Sequence, residues 1–249
     1  MKSLCTNDTQ REHMDKLISM LASKEINGGE AWSAFSSPEK SKRFKRGEDK
    51  LGKDVLHRVS FTAGEIATYK AVREAAHKKL FQQCSGLCSY CRRTVGHYGW
   101  AWHIEHVLPK SKYPAHAFDL ANLTIGCVHC NQWKGVRIDK HVVNKVLPII
   151  NPVEEDFRYA DHLHYVQVST ESFTFAKYKT RSVQGAETYR ALEFAELERA
   201  HAINGLHSLY ASLHERLTRV MEVGLTNEEG KELVTFLAEL KSSIYSRSG

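Results

Sequence analysis

Apolar residues in the first part of the chain recur at spacings of three and four. Met14, Leu17, Ile18 and Leu21 fall on one face and predict a helix over about Asp8–Lys24. Gly28-Gly29 predicts a turn after it. The next stretch is poor in apolar residues and carries Lys40, Lys42, Arg43, Lys45, Arg46, Lys50 and Lys53, the pattern of a solvated loop or of a segment that meets phosphates. Thr62-Ala63-Gly64-Glu65 is a capping-box pattern, and Ile66, Tyr69, Val72, Ala76 and Leu80 behind it predict the inward face of a second helix. Asn151-Pro152 predicts a turn, and Leu163–Val168 with Ser172–Ala176 predict a hairpin of short strands. Beyond Gly185 the pattern is helical. Ile203, Leu206, Tyr210, Leu213, Leu217 and Val220 form one stripe. After a second capping-box pattern at Thr226 and Glu229, Leu233, Phe236, Leu237 and Leu240 form another. An antiparallel helical pair packed on the core is the expectation, with a docking surface for another chain as the alternative.

The 249 residues are 42% hydrophobic and 26% charged, which excludes collagen-like, low-complexity and wholly disordered classes. No apolar run reaches the roughly 18–20 residues that span a bilayer, and Met1-Lys2-Ser3-Leu4 turns polar at once, without a signal-peptide core. A cytoplasmic protein with no membrane partner is therefore expected. The net charge of +6 is unevenly placed. Residues 1–180 hold 27 basic and 19 acidic side chains, whereas residues 181–249 hold 8 and 10. A basic front part is compatible with nucleic-acid binding.

Four of the six cysteines form two Cys-x-x-Cys pairs, Cys88 with Cys91 and Cys127 with Cys130. A thioredoxin-like redox motif needs one such pair and does not account for two. Two pairs can set four thiolates around one tetrahedral Zn²⁺, and disulfides are not expected without an export signal. Cys84 is a candidate replacement for Cys88, and Cys5 stands apart.

Between the pairs runs Trp102-His103-Ile104-Glu105-His106-Val107-Leu108-Pro109-Lys110, followed by Asn122-Leu123, Asn131 and Lys134-Gly135. Hydrolysis of an anionic diester needs a divalent cation to neutralise charge and a base to take a proton from water. Glu105 and Asn131 offer oxygen ligands of the kind Mg²⁺ or Mn²⁺ prefers. His106 has the side chain for general-base work near neutral pH, and an oxygen of Asn122 could fix its tautomer. His103 shares a strand face with Glu105 and is a candidate third ligand, with a residue behind the ligands or a phosphate-contacting histidine as the alternative. Lys110, Lys112 and Lys134 are candidate phosphate contacts, with solvated surface as the plain alternative. His129 is a weak competitor for zinc, and His97, Trp100, Trp102 and Trp133 read as packing residues.

Cys88–Cys91, Glu105-His106, Pro109, Asn122-Leu123, Cys127–Cys130, Asn131 and Lys134-Gly135 together resemble the HNH endonuclease family and its ββα-metal motif. Glu105 stands where that family usually has Asp or His, and Asn131 where it often has His. The resemblance implies Glu105 and Asn131 as metal ligands, His106 as base, Asn122 as its orienting partner, and products ending in 5′-phosphate and 3′-hydroxyl. It covers about one fifth of the chain. Ile104–Ser111 further resembles the PtuB-type nucleases of Septu and retron-associated anti-phage defence systems, which work beside an ATPase.

The expected architecture is α+β. A zinc-stapled ββα-metal core over 84–148 would follow a helical and basic segment (1–83) and precede short strands (149–180) and a helical extension (181–249). The expected function is metal-dependent endonucleolytic cleavage of DNA, with RNA not excluded, in a defence complex with an ATPase partner. The rivals are a non-catalytic zinc module that binds nucleic acid or protein, and an adaptor that docks to the ATPase.

Overall fold

A computed structural model describes residues 1–48, 52–96, 99, 101–169, 174–203, 235, 236, 238 and 239. They fall into two compact units, 1–157 and 158–249.

In the first unit, α1 (Asp8–Ala22) begins where the Asn7 side chain accepts the Gln10 N–H. It buries Met14, Leu17, Met20 and Leu21, so Met20 is buried and Ile18 is only half covered. The predicted turn at Gly28-Gly29 is instead the first turn of α2 (Gly28–Ser36). Asn27 and Glu30 close a reciprocal capping box there, which outweighs the low helix propensity of two glycines. Gly28 is required by packing, since a Cβ at this position would stand 2.1 Å from the Lys110 carbonyl oxygen.

The basic segment is a hairpin: β1 (Ser41–Glu48) pairs antiparallel with β2 (Asp54–Ser60). Its inner face carries Phe44 and Val59, an alternation hidden in the sequence by the surrounding lysines and arginines. The capping box at Thr62 and Glu65 starts α3 (Ala63–Gln83), which buries Tyr69, Val72, Ala76 and Leu80. Phe35 of α2 and Phe61 meet the Tyr69 ring at centroid distances of 6.2 and 5.6 Å, joining these helices in one core.

Strand β3 (Trp102–His106) pairs antiparallel with β4 (Leu123–Cys127), Trp102 opposite Cys127 and His106 opposite Leu123. Helix α4 (Val128–Arg137) follows β4 directly. Every residue of β4 is buried, so this short strand forms the floor on which the site is built.

The second unit has β5 (Leu163–Ser169) antiparallel to β6 (Thr174–Thr180), then α5 (Val183–Ala191) and α6 (Phe194–Ile203). Tyr165 stacks on Tyr178 at 4.6 Å, and Tyr178 meets buried Phe194 at 4.5 Å. Glu198 is buried and satisfied by Lys177, the Tyr178 N–H and the Tyr189 hydroxyl. The stripes from Ile203 to Val220 and Leu233 to Leu240 lie largely outside the described residues, as do His97 and Trp100. No helix among the described residues is long and apolar enough to cross a membrane.

Candidate active site and metal centre

The two cysteine pairs are brought together by different local structures. Cys88 and Cys91 sit on a tight knuckle in which the Arg92 N–H donates to the Cys88 carbonyl and the Cys88 N–H to the Arg93 carbonyl. Arg92 adopts φ 59°, the left-handed turn that closes it. Cys127 is the N-cap of α4 and Cys130 lies in its first turn. The Ser89 N–H donates to the Ile125 carbonyl at 2.9 Å and pins the knuckle to β4.

All four sulfurs lie within 4.8 Å of one another and are buried, with Cys91 Sγ 3.7 Å from Cys127 Sγ. A regular tetrahedron with Zn–S bonds of about 2.3 Å has sulfurs about 3.8 Å apart. The cluster thus has the size and donor chemistry for Zn²⁺. Its outer partners suit thiolates as well. The Cys127 N–H donates to Cys88 Sγ at 3.3 Å, and Arg93 Nε and Nη2 reach Cys91 and Cys127 at 3.4 and 3.5 Å. Burial disfavours the Arg93 guanidinium, yet the Cys91 and Cys127 sulfurs hold its pKa above the ordinary value. Cys84 instead faces Ser89 and Thr124, and neither it nor His129 belongs to the cluster.

Glu105 and His106 end β3 and point to opposite faces of the strand, as the period of two requires. Glu105 and Asn131 of α4 both flank Gly126: a Cβ at Gly126 would stand 3.2 Å from the Glu105 Cβ and 3.7 Å from the Asn131 Cβ. The missing side chain leaves room beside both residues, and a carboxylate and an amide oxygen are donors that a hard divalent cation accepts. His103 lies opposite Gly126 and is exposed. Among the described residues it joins Glu105 in no group of three His, Cys, Asp or Glu side chains close enough to share an ion.

Lys134, one turn beyond Asn131 on α4, is placed differently from a phosphate contact. It has no exposed surface. Its ammonium lies 2.8 Å from Glu105 Oε1, 2.7 Å from Asp139 Oδ1 and 2.8 Å from the His106 carbonyl, so three donors meet three acceptors. Burial opposes its charge, but Glu105 and Asp139 hold its pKa above the ordinary value. Burial pushes the Glu105 carboxyl up against the attraction of Lys134. Lys112 is also engaged, donating to the Lys140 and Val142 carbonyls at 2.6 and 3.3 Å. Lys110 is half-buried, and its charge acts on His106.

The tautomer of His106 follows from its partner. Nε2 lies 3.1 Å from the Ala117 carbonyl oxygen, which can only accept, so Nε2 carries the hydrogen and Nδ1 keeps its lone pair. Asn122 does not touch the ring. Its Oδ1 accepts the Leu108 N–H at 2.7 Å, and its Nδ2 donates to the Leu108 and His116 carbonyls at 3.1 and 3.2 Å. Asn122 therefore clamps both ends of the 108–116 loop and presents Ala117, orienting the imidazole through the backbone. Burial, then the Lys110 charge, push the imidazole down to about 3 against the raising effect of the Ala117 carbonyl. The ring is neutral at physiological pH.

Three residues of the site carry no local sequence signal. Trp32 of α2 meets the His106 ring edge-on at 4.3 Å, across 74 positions of chain. Asp139 becomes the second acid on Lys134 only because α4 ends at Arg137. The Ala117 carbonyl is a backbone group. The Arg92-Arg93 doublet beside Cys91 was the one legible hint of a cation next to the thiolates.

No curated protein and no solved structure matches this chain. Residues 88–137, which run from the first zinc-knuckle cysteine to the end of α4, match the family model described as HNH endonuclease.

Proposed function

We propose that this chain is a metal-dependent endonuclease that hydrolyses phosphodiester bonds of DNA, with Zn²⁺ at the four cysteines as a structural ion and Mg²⁺ or Mn²⁺ as the catalytic one. The observation that carries the reading is the grouping at one end of β3: Glu105 and Asn131 both flank Gly126, while the Ala117 carbonyl fixes Nε2 of His106 and leaves Nδ1 as the base. Glu105 and Asn131 would hold the catalytic cation. The chemistry such a cation would supply is neutralisation of the charge that builds up on the scissile phosphate.

His106 Nδ1 accepts a proton as water attacks phosphorus, the bond to the 3′-oxygen breaks, and that oxygen leaves to take a proton from solvent. The products end in 5′-phosphate and 3′-hydroxyl. Asn122 keeps the imidazole aimed, and Lys134 keeps Glu105 in one place before any cation arrives. Lys110 is the lysine placed to favour an anionic substrate beside His106.

The finer reading, an effector nuclease of an anti-phage complex with an ATPase partner, is supported by the Ile104–Ser111 string.

The test is a Mn²⁺ titration of the zinc-loaded chain, followed by plasmid cleavage in the same buffer. One Mn²⁺ per chain is expected, with affinity at least tenfold weaker in Glu105→Gln and Asn131→Ala and cleavage lost in both. Mn²⁺ binding that neither substitution alters would overturn the ligand assignment. A chain that binds zinc alone, with or without nucleic acid, would support the non-catalytic zinc module.

A further inference from the structure

The hairpin β1–β2 lies outside the HNH match, and its outer face is built unlike an ordinary solvated ribbon. Most of its cations are spoken for: Lys45 pairs with Glu48 and Asp54, Arg46 with Glu30 and the Glu25 carbonyl, and Lys42 donates to Ser33. Arg43 and Arg58 are different. They are directly opposite in the register, both exposed, and on the face away from buried Val59. Among the described residues neither has a carboxylate partner, and Arg58 Nε donates only to the Ser41 hydroxyl. Like charges directly opposite one another destabilise a two-stranded sheet. Leu56, 49% exposed, lies on the same face.

The hairpin is also anchored to the site. Helix α2 holds Lys42 through Ser33 and Arg46 through Glu30, while the neighbouring Trp32 touches His106. Helix α2, about 10 Å across, thus links the hairpin on one side to the base on the other.

Resting on the nuclease reading, we infer that β1–β2 is a substrate-docking ribbon. On this inference the Arg43–Arg58 pair binds phosphates of the duplex whose scissile bond lies at His106. Bound phosphates then supply the counter-charge that neither arginine meets among the described residues.

The test is fluorescence anisotropy of the full zinc-loaded chain with a short labelled DNA duplex, without added divalent metal, across a salt series. Arg43→Gln/Arg58→Gln is compared with wild type and with Lys78→Gln/Lys79→Gln, an equal charge loss on the exposed side of α3. Each lost phosphate contact lowers the slope of log K against log salt by about 0.9, so the arginine variant should lose about 1.8. Its deficit relative to wild type should shrink about tenfold between roughly 50 and 200 mM salt. The lysine variant should keep the wild-type slope, and the arginine variant should melt no lower than wild type. An unchanged slope in the arginine variant overturns the proposal, as does an equal loss in both variants. Indifference of the duplex would mean that the pair serves an acidic protein instead. A metal-dependent cleavage assay on the same samples separates the two readings. Normal cleavage with an unchanged slope removes the docking ribbon and leaves the nuclease. A lowered slope with no cleavage under any divalent metal removes the nuclease and leaves the ribbon.

Discussion

Replacing Lys134 by methionine removes one charge from the centre of the site while nearly preserving volume. Its effect can be worked from three contacts. The ammonium bridges Glu105 and Asp139 and donates to the His106 carbonyl, all at 2.7 to 2.8 Å and all without solvent access on the lysine side. Its removal leaves a buried carboxylate without counter-charge and a carbonyl without a donor. Breaking a buried ion pair from one side costs about 3–5 kcal/mol. Asp139, whose side chain is 28% exposed, recovers part of its solvation, which places the expected loss toward the lower end. With a urea slope of about 2 kcal/mol per molar, the unfolding midpoint should fall by roughly 1.5–2 M at saturating zinc. Adding Glu105→Gln to Lys134→Met should restore part of that loss, because the uncompensated charge is gone. The reasoning is refuted if Lys134→Met shifts the midpoint by less than about 0.3 M, or if the second substitution adds its own full cost.

Other expectations test separate parts of the account. Stripping zinc with a strong chelator, or Cys127→Ser, should abolish the cooperative melt of residues 88–137, and added Zn²⁺ should restore it only after chelation; metal analysis should give one zinc per chain. Gly126→Ala should reduce cleavage at least tenfold with a melting temperature within a few degrees of wild type, since the new methyl meets Glu105 and Asn131 rather than the core. Gly28→Ala should cost at least about 2 kcal/mol by thermal melt, because its Cβ meets a backbone carbonyl that cannot yield as a side-chain tip would. Burial opposes the Glu65 charge, but Lys16 and the Thr62 N–H hold its carboxyl below the ordinary value of 4.5. The stability it adds is therefore complete above that pH and is lost as pH falls through the lower folded value. Glu65→Gln should flatten the stability profile in that acid window and leave its shape near pH 7 unaltered.

The parts of the fold that were legible in sequence are those specified locally. The capping box at Thr62 and Glu65, the cysteine pairs and the Glu105-His106 string each fix their own neighbourhood within a few residues. The basic hairpin was not legible as strands, because its inner face holds few apolar residues, Phe44 and Val59, while Val55 and Leu56 are exposed among charged neighbours. The glycine pair concealed a helix start whose information lay one residue earlier, in Asn27. Within the site, residue identities could be read but not all of their partners. Asn122 was expected on the imidazole and acts on the loop instead, since the backbone carbonyl it positions has no signature in sequence. Lys134, a candidate phosphate contact from its sequence position, is buried instead, because its acceptors Asp139 and the His106 carbonyl are set by how α4 ends and where it lies on β3. Trp32 depends on packing across the whole first unit.

Cleavage of supercoiled plasmid with Mg²⁺ or Mn²⁺, by the zinc-loaded wild-type chain and by His106→Ala purified identically, tests the central claim most directly. Metal-dependent cleavage by the wild type is predicted, with 5′-phosphate and 3′-hydroxyl ends, and a fall of at least about a hundredfold in the variant at unchanged zinc content, the scale of a lost general base. Equal cleavage by both proteins would contradict it.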